Sequence, residues 1–126
     1  MKKGSVIKYL LLLLTAFGLY WFSNQSSRPD QEISFDRSLT PLIYTKHARC
    51  RMDCRHIDEA EVQEILRNGK INYQKSEPDS KPDPKFALEG ITRDRQSVRI
   101  IFAPSKRGMV VITCIDLDEE WTCHCN

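Results

Sequence analysis

The stretch of sequence that decides the fold is DEAEVQEILRNG, residues 58–69. Asp58 stands where a helix N-cap is expected, and Glu61 three residues later predicts a reciprocal capping box. Gly69 predicts that the helix ends there with a positive φ. The apolar side chains recur at the spacing of one helix face and are Val62, Ile65 and Leu66. The stretch therefore predicts an amphipathic helix with one buried face.

A second helix is predicted immediately before this one. Thr45 is a suitable N-cap for a helix that runs through about Arg55. The preceding residues 41–45 are typical either of a short strand or of the lead-in to that helix. Two consecutive helices are thus expected near the start of the folded part of the chain.

Downstream of Gly69 the pattern changes from helix to strand. Residues 77–84 contain three prolines and are predicted to be a loop. The β-branched run at residues 110–115 predicts a central strand that is covered on both faces. The predicted strands are 71–75, 86–92, 98–103 and 110–117. Their short separations favour an antiparallel meander, so we expect an α+β domain of two helices packed on an antiparallel sheet.

The first 23 residues predict a transmembrane anchor or a signal segment. Residues 9–22 form an uninterrupted apolar or nearly apolar run. Contact with a membrane is predicted through residues 6–22, because Lys8 can extend its amine to the surface. Tyr20, Trp21 and Phe22 stand where an interfacial aromatic belt is expected.

The orientation of this segment follows from its lysines. Lys2, Lys3 and Lys8 are expected to stay in the cytoplasm. This predicts a single-pass protein of the inner membrane whose C-terminal domain lies outside the cytoplasm. The alternative is a cleaved signal peptide with a small-residue site at 16–18, which would give a secreted or periplasmic protein.

The remaining chain divides into a polar tether, residues 24–40, and a domain, residues 41–126. Residues 29–126 hold 15 basic and 17 acidic side chains. The folded part is therefore close to neutral and lacks the strongly basic character of most nucleic-acid-binding domains. A nucleic acid is thus an unexpected partner.

Two runs of the chain carry a resemblance to a known family. Residues 44–57 read YTKHARCRMDCRHI, and residues 61–69 read EVQEILRNG. They resemble the DUF4258 domain family, whose members open with a His-Ala-x-x-Arg-Met-x-x-Arg-x-Ile pattern and continue with a helix ending in Asn-Gly and a sheet. The resemblance spans about residues 42–117 and departs from the pattern at His56, where the family commonly has Gly. It implies a fold remotely similar to RelE-like and barnase-like ribonucleases, but no established function.

The first predicted helix carries a stripe of His47, Arg51 and Arg55, spaced four residues apart on one face. Histidine transfers protons near neutral pH, and arginine binds phosphate oxygens bidentately. The stripe therefore provides candidate catalytic residues for a nucleic-acid-acting enzyme. The competing interpretation is a noncatalytic stripe whose side chains pair with acids or cover apolar surface.

Four of the five cysteines form a second candidate site. Cys50 and Cys54 share a helix face, and Cys123 and Cys125 lie in the last four residues. In an exported domain, disulfides between the two pairs are expected, whereas bonds within either pair have poor geometry. The alternative is a tetrahedral zinc site of four thiolates. Cys114, in the most apolar strand, is predicted to be a buried free thiol.

These observations favour a membrane-associated, noncatalytic binding or accessory module with an unknown protein partner and no cofactor. One alternative is a RelE-like ribonuclease or another nucleic-acid-acting enzyme that uses His47, Arg51 and Arg55. A further alternative is a small structural zinc-binding protein.

Overall fold

The computed structural model describes residues 3–23 and 35–126, which belong to two separate units, the second of which begins at Phe35. The first unit contains helix α1. The second contains the other two helices and all the strands of the described residues. The elements are α1 (Lys3–Ser23), β1 (Leu42–Tyr44), α2 (Lys46–Cys54), α3 (Glu59–Asn68), β2 (Lys70–Glu77), β3 (Lys85–Ile91), β4 (Ser97–Ser105) and β5 (Gly108–Asp116).

Helix α1 is 21 residues long and largely apolar, and none of its residues is buried within the unit. It is long and apolar enough to cross a membrane, although a signal sequence meets the same criterion. The predicted apolar N-terminal helix is therefore confirmed, and its insertion into a membrane stays a prediction. The predicted tether falls partly on residues 24–34, which lie outside the described residues.

The five strands form one mixed sheet in the order β1-β5-β4-β3-β2. The four long strands make the predicted antiparallel meander, but β1 pairs with β5 in parallel. The expectation of a purely antiparallel sheet is therefore wrong. The expectation that residues 110–115 form the central strand is also wrong, because β4 lies in the middle. An α+β fold is observed, and its likeness to RelE stays a prediction.

Strand β1 joins the sheet because Gly108 leaves room for it. A Cβ at Gly108 would collide with the carbonyl oxygen of Pro41. The φ of Gly108 is 141°, a value that L-residues rarely adopt. The Pro41 carbonyl accepts a 2.9 Å hydrogen bond from the backbone N–H of Met109. At the other end of β1, the Thr45 N–H donates to the Val111 carbonyl at 3.2 Å.

Both domain helices cover the same face of the sheet. In β3 and β4 the side chains of this core alternate with residues that point away from the helices. In β5 the alternation shifts by one residue between Val111 and Cys114, where the ladder with β4 is irregular. The core side chains are Ala48, Met52, Ile57, Val62, Ile65, Leu66, Phe86, Leu88, Val98, Ile100, Phe102, Met109, Val111 and Cys114. Within the second unit both helices lie on one face, and Val110 and Ile112 on the other face of β5 are only half-buried, so β5 is not covered on both sides as expected.

The compact unit begins at Phe35, within the stretch that the sequence assigns to the tether. The ring of Phe35 packs on Phe86 with centroids 4.8 Å apart and lies 6.5 Å from Phe102. Leu39 also packs against the core cluster. Residues 35–40 therefore form part of the folded domain.

Helix α3 begins at the capping box that the sequence predicts. The Asp58 side chain accepts from the Glu61 N–H at 2.8 Å, and the Glu61 side chain accepts from the Asp58 N–H at 3.0 Å. Its end differs from the prediction, because Gly69 has a φ of −65°. Glycine is needed there for space, since a Cβ would lie 2.5 Å from the carbonyl oxygen of Ile65.

The turn between α2 and α3 depends on His56, whose φ is +54°. This left-handed conformation costs an L-residue about 1–2 kcal/mol and costs glycine nothing. It explains why glycine suits this position in the pattern that the sequence resembles. The His56 ring also lies edge-on to Trp121, with centroids 5.3 Å apart.

We predict that His56→Val lowers the free energy of unfolding by about 1–2 kcal/mol, because a β-branched side chain strains this backbone. His56→Gly should change it by less than about 1 kcal/mol, since relief of strain offsets the lost ring contact and the greater freedom of the unfolded chain. Urea unfolding followed by circular dichroism measures both. A His56→Gly loss as large as that of His56→Val would contradict this account of the turn.

Candidate functional site

Helix α2 and the C-terminal tail, residues 117–126, form one surface, which we call the clamp. Thr45 caps α2 by accepting from the Ala48 N–H at 3.0 Å, as the sequence predicts, and its hydroxyl donates to the Ile112 carbonyl at 3.1 Å. This threonine therefore joins the start of α2 to strand β5. Only Ala48 and Met52 of α2 are buried, so the remaining faces are open to the tail and to solvent.

The tail is attached to α2 at two points. The sulfur atoms of Cys50 and Cys125 lie 1.98 Å apart, and those of Cys54 and Cys123 are separated by the same distance. The Cα–Cα distances of 5.8 and 5.9 Å are those of ordinary disulfides. The structure thus pairs the cysteines across the two groups. Zinc binding by the same four residues is not tested and stays a prediction.

Cys114 lies beneath α2 and is fully buried as a free thiol, as predicted. Burial raises the pKa of this thiol to about 12, against a smaller lowering influence from Arg55. The thiol is therefore protonated at physiological pH and is a poor nucleophile.

The Asp116 carboxylate is the point where strand β5 gives way to the tail. It accepts hydrogen bonds from Trp121 Nε1 at 3.0 Å and from the backbone N–H groups of Asp118 and Glu119 at 2.9 and 3.0 Å. Burial raises the pKa of Asp116, but these hydrogen bonds outweigh it and hold the pKa below its usual value. An ionised carboxylate therefore folds the chain back toward α2.

Gln96 extends this network to the end of α2. Its amide nitrogen donates to the Arg55 carbonyl at 2.9 Å and to the Asp116 carboxylate at 3.3 Å. Its side-chain oxygen is buried and accepts no hydrogen bond from any of the described residues. The loop that precedes β4 thus connects α2 to the start of the tail.

The structure brings together only two members of the predicted catalytic stripe. Arg51 Nε donates to His47 Nε2 at 3.4 Å, at the outer surface of α2. The Arg55 guanidinium instead donates to the carbonyl of Cys114 beneath the helix. Burial, followed by the nearby charge of Arg51, lowers the pKa of Arg55. Arg55 therefore connects α2 to β5, and the catalytic role of the stripe stays a prediction.

Two further arginines, one in the sheet and one in the loop after β3, pair with acids. Arg99 lies on the face turned away from the helices, where it pairs with Glu89 at 3.2 Å. Glu89 also accepts from Asn72 at 2.5 Å, and this hydrogen bond is the largest influence that lowers its pKa. Arg93 pairs with Glu64 of α3 at 3.6 Å.

A comparison with known protein families finds one family in the part of the chain that forms α2, α3 and most of the sheet. The model of the family described as a domain of unknown function, DUF4258, matches residues 44–116. The chain belongs to the DUF4258 family. No curated protein and no solved structure matches this chain.

The DUF4258 match includes Cys50 and Cys54 but ends at Asp116, so Cys123 and Cys125 lie beyond it. Each cross-link of the clamp therefore joins the matched DUF4258 region to the extension that follows it. The sequence predicts the pairing of these cysteines but does not predict the Asp116 network. The available signal was the spacing of Asp116 and Asp118, which is typical of a turn in which a side chain caps nearby N–H groups.

We predict that Arg55 is structural. Arg55→Ala should lower the free energy of unfolding by about 1.5–3 kcal/mol, because a charged hydrogen bond to a partly buried carbonyl is lost. Arg51→Ala is the matched control and should cost less than about 1 kcal/mol, because its partner His47 is exposed. Urea unfolding of the oxidised chain measures both, and equal losses would argue against the proposed role of Arg55.

The free energy of unfolding that each cross-link contributes should depend on whether the other cross-link is present. They span 75 and 69 residues, and one such bond alone contributes about 4 kcal/mol in the chain-entropy model. The second closes a ring of only about eight residues and adds about 2–3 kcal/mol. The Cys50→Ser/Cys125→Ser and Cys54→Ser/Cys123→Ser variants should therefore each lose the smaller amount.

The variant without all four cysteines should lose about 6–7 kcal/mol, more than the sum of the two double variants. Urea unfolding at matched pH tests this ordering. Simple additivity of the two losses would show that the cross-links do not act on one shared loop.

Proposed function

We propose that the chain is an exported DUF4258 domain, held at the membrane by α1, that acts as a noncatalytic binding module for a protein partner outside the cytoplasm. The observation that carries the proposal is the pairing of Cys50 with Cys125 and of Cys54 with Cys123. Disulfides persist in oxidising compartments and are rare in the cytosol. The clamp therefore suits a domain that folds after export.

The N-terminal helix supports the same location. Lys3 and Lys8 lie toward its start, and no acidic residue occupies its first turn. Positive charge on the side that precedes the span favours a cytoplasmic N-terminus. The domain would then lie on the opposite side, where disulfides form.

The titratable groups whose pKa values are shifted favour a binding role over a catalytic one. General acid–base catalysis works best with groups whose pKa lies near the working pH. The pKa values of Asp36, Glu89 and Asp116 are lowered, chiefly by hydrogen bonds that outweigh burial. Burial raises the pKa of Tyr44 and of Cys114 to about 12. These five groups therefore hold fixed protonation states at neutral pH.

We expect the intact mass of the chain, purified from membranes after expression with export, to be about 4 Da below that of the reduced chain, because two disulfides remove four hydrogens. One thiol, that of Cys114, should react after unfolding without reductant. The mass should also include residues 1–18, since the proposal retains α1 as an anchor.

The zinc and signal-peptide alternatives each give a different result in the same experiment, and the enzyme alternative is tested separately by RNA cleavage. Zinc binding would raise the native mass by one zinc ion, and all five thiols would react after unfolding. Cleavage near residues 16–18 would remove the N-terminal segment and indicate a secreted protein. Loss of RNA cleavage on His47→Ala substitution, if the wild-type chain cleaves RNA, would favour the enzyme.

A further inference from the structure

A cleft of about 420 Å³ lies along the outer face of helix α3. One wall is α3 itself, and the other is the chain that leads from residue 37 into β1. The lining residues are Arg37, Ser38, Leu39, Thr40, Leu42, Tyr44, Glu59, Gln63, Leu66 and Arg67. From Glu59 to Arg67 the helix advances by about 12 Å, which is the length of three or four extended peptide residues.

Apolar side chains and arginines occupy different parts of this cleft. Leu39, Leu42 and Leu66 provide apolar surface. Arg37 lies at the C-terminal end of α3, where it donates to the Leu66 carbonyl at 2.9 Å. Arg67 is exposed and forms no ion pair with any of the described residues. The cleft therefore combines an apolar surface with two guanidinium groups.

None of the described acids forms an ion pair with either arginine of the cleft. Glu59, at the other end of the cleft, pairs with Arg49 at 3.0 Å. Asp36 adjoins Arg37 in the chain, and its carboxylate accepts from the N–H and hydroxyl groups of Ser38 at 2.9 and 2.6 Å. The arginines therefore keep guanidinium donors for the carboxylate of a ligand.

We propose that this cleft binds a short peptide segment of a partner protein, in which a carboxylate adjoins apolar side chains. The carboxylate contacts Arg67 and Arg37, and the apolar side chains lie on the leucines. A peptide fits better than a simple anion because the leucine surface continues away from the arginines. The inference builds on the proposed function by naming the surface that a protein partner contacts.

The test is a selection of random dodecapeptides by mRNA display against the full chain in a neutral detergent. We expect enriched peptides to carry Asp or Glu beside apolar residues. Arg67→Glu should weaken binding of the best peptide, measured by fluorescence anisotropy, by about tenfold. Lys75→Glu is the matched charge reversal on the distant edge strand β2 and should leave binding unchanged.

The proposal is overturned if no peptide is enriched, if enriched peptides lack acids, or if they bind Arg67→Glu as well as the parent. Binding that is confined to vesicles of anionic phospholipid, and is lost in Arg67→Glu, would make the cleft a lipid site instead. The mass experiment decides export separately. Peptide binding by a chain found reduced would retain the cleft and refute the exported domain.

Discussion

The position of helix α2 is the constraint on which the rest of the domain depends. A helix of nine residues is too short to persist alone, and only Ala48 and Met52 are buried beneath it. Its place is fixed instead by hydrogen bonds at each end. Thr45 joins its start to β5, and Arg55 joins its end to the carbonyl of Cys114. The cross-links to the tail then act on a helix that is already docked.

The tail returns to α2 because of the chemistry at the end of β5. Without a turn, a chain that leaves β5 at Asp116 would continue away from the helix. The Asp116 carboxylate binds Trp121 and two backbone N–H groups, and Gln96 connects the same carboxylate to the end of α2. This network shortens the search that Cys123 and Cys125 must make for Cys54 and Cys50. It therefore favours pairing between the two groups of cysteines.

The sequence predicts the features that depend on neighbouring residues. The capping box of Asp58, the Thr45 cap and the spacing of the four long strands all follow from short stretches, and all are observed. The parallel pairing of β1 was not predictable in this way, because three residues are too few to show a period. The shape of the end of α3 was missed for a related reason. Gly69 is required because a side chain would collide with Ile65. The spacing of residues in the sequence does not reveal such a collision.

The candidate sites differ in the same way, because one is visible in short stretches of sequence and the others join residues that are far apart in the chain. The cysteines were recognised because their chemistry is visible in their spacing, whereas the Asp116 network joins residues from three separate elements. The cleft was missed for this reason too, since Arg37 and Arg67 stand 30 positions apart.

The two sites occupy different surfaces of the same scaffold, and one residue lies close to both. Arg49 on α2 covers the Tyr44 ring and pairs with Glu59 on α3. A displacement of α2 would move this arginine and release the negative charge of Glu59 toward the cleft. An anionic peptide would then meet a less positive surface. The hydrogen bonds that hold α2 in place therefore also maintain the charge of the cleft that we assign to a partner.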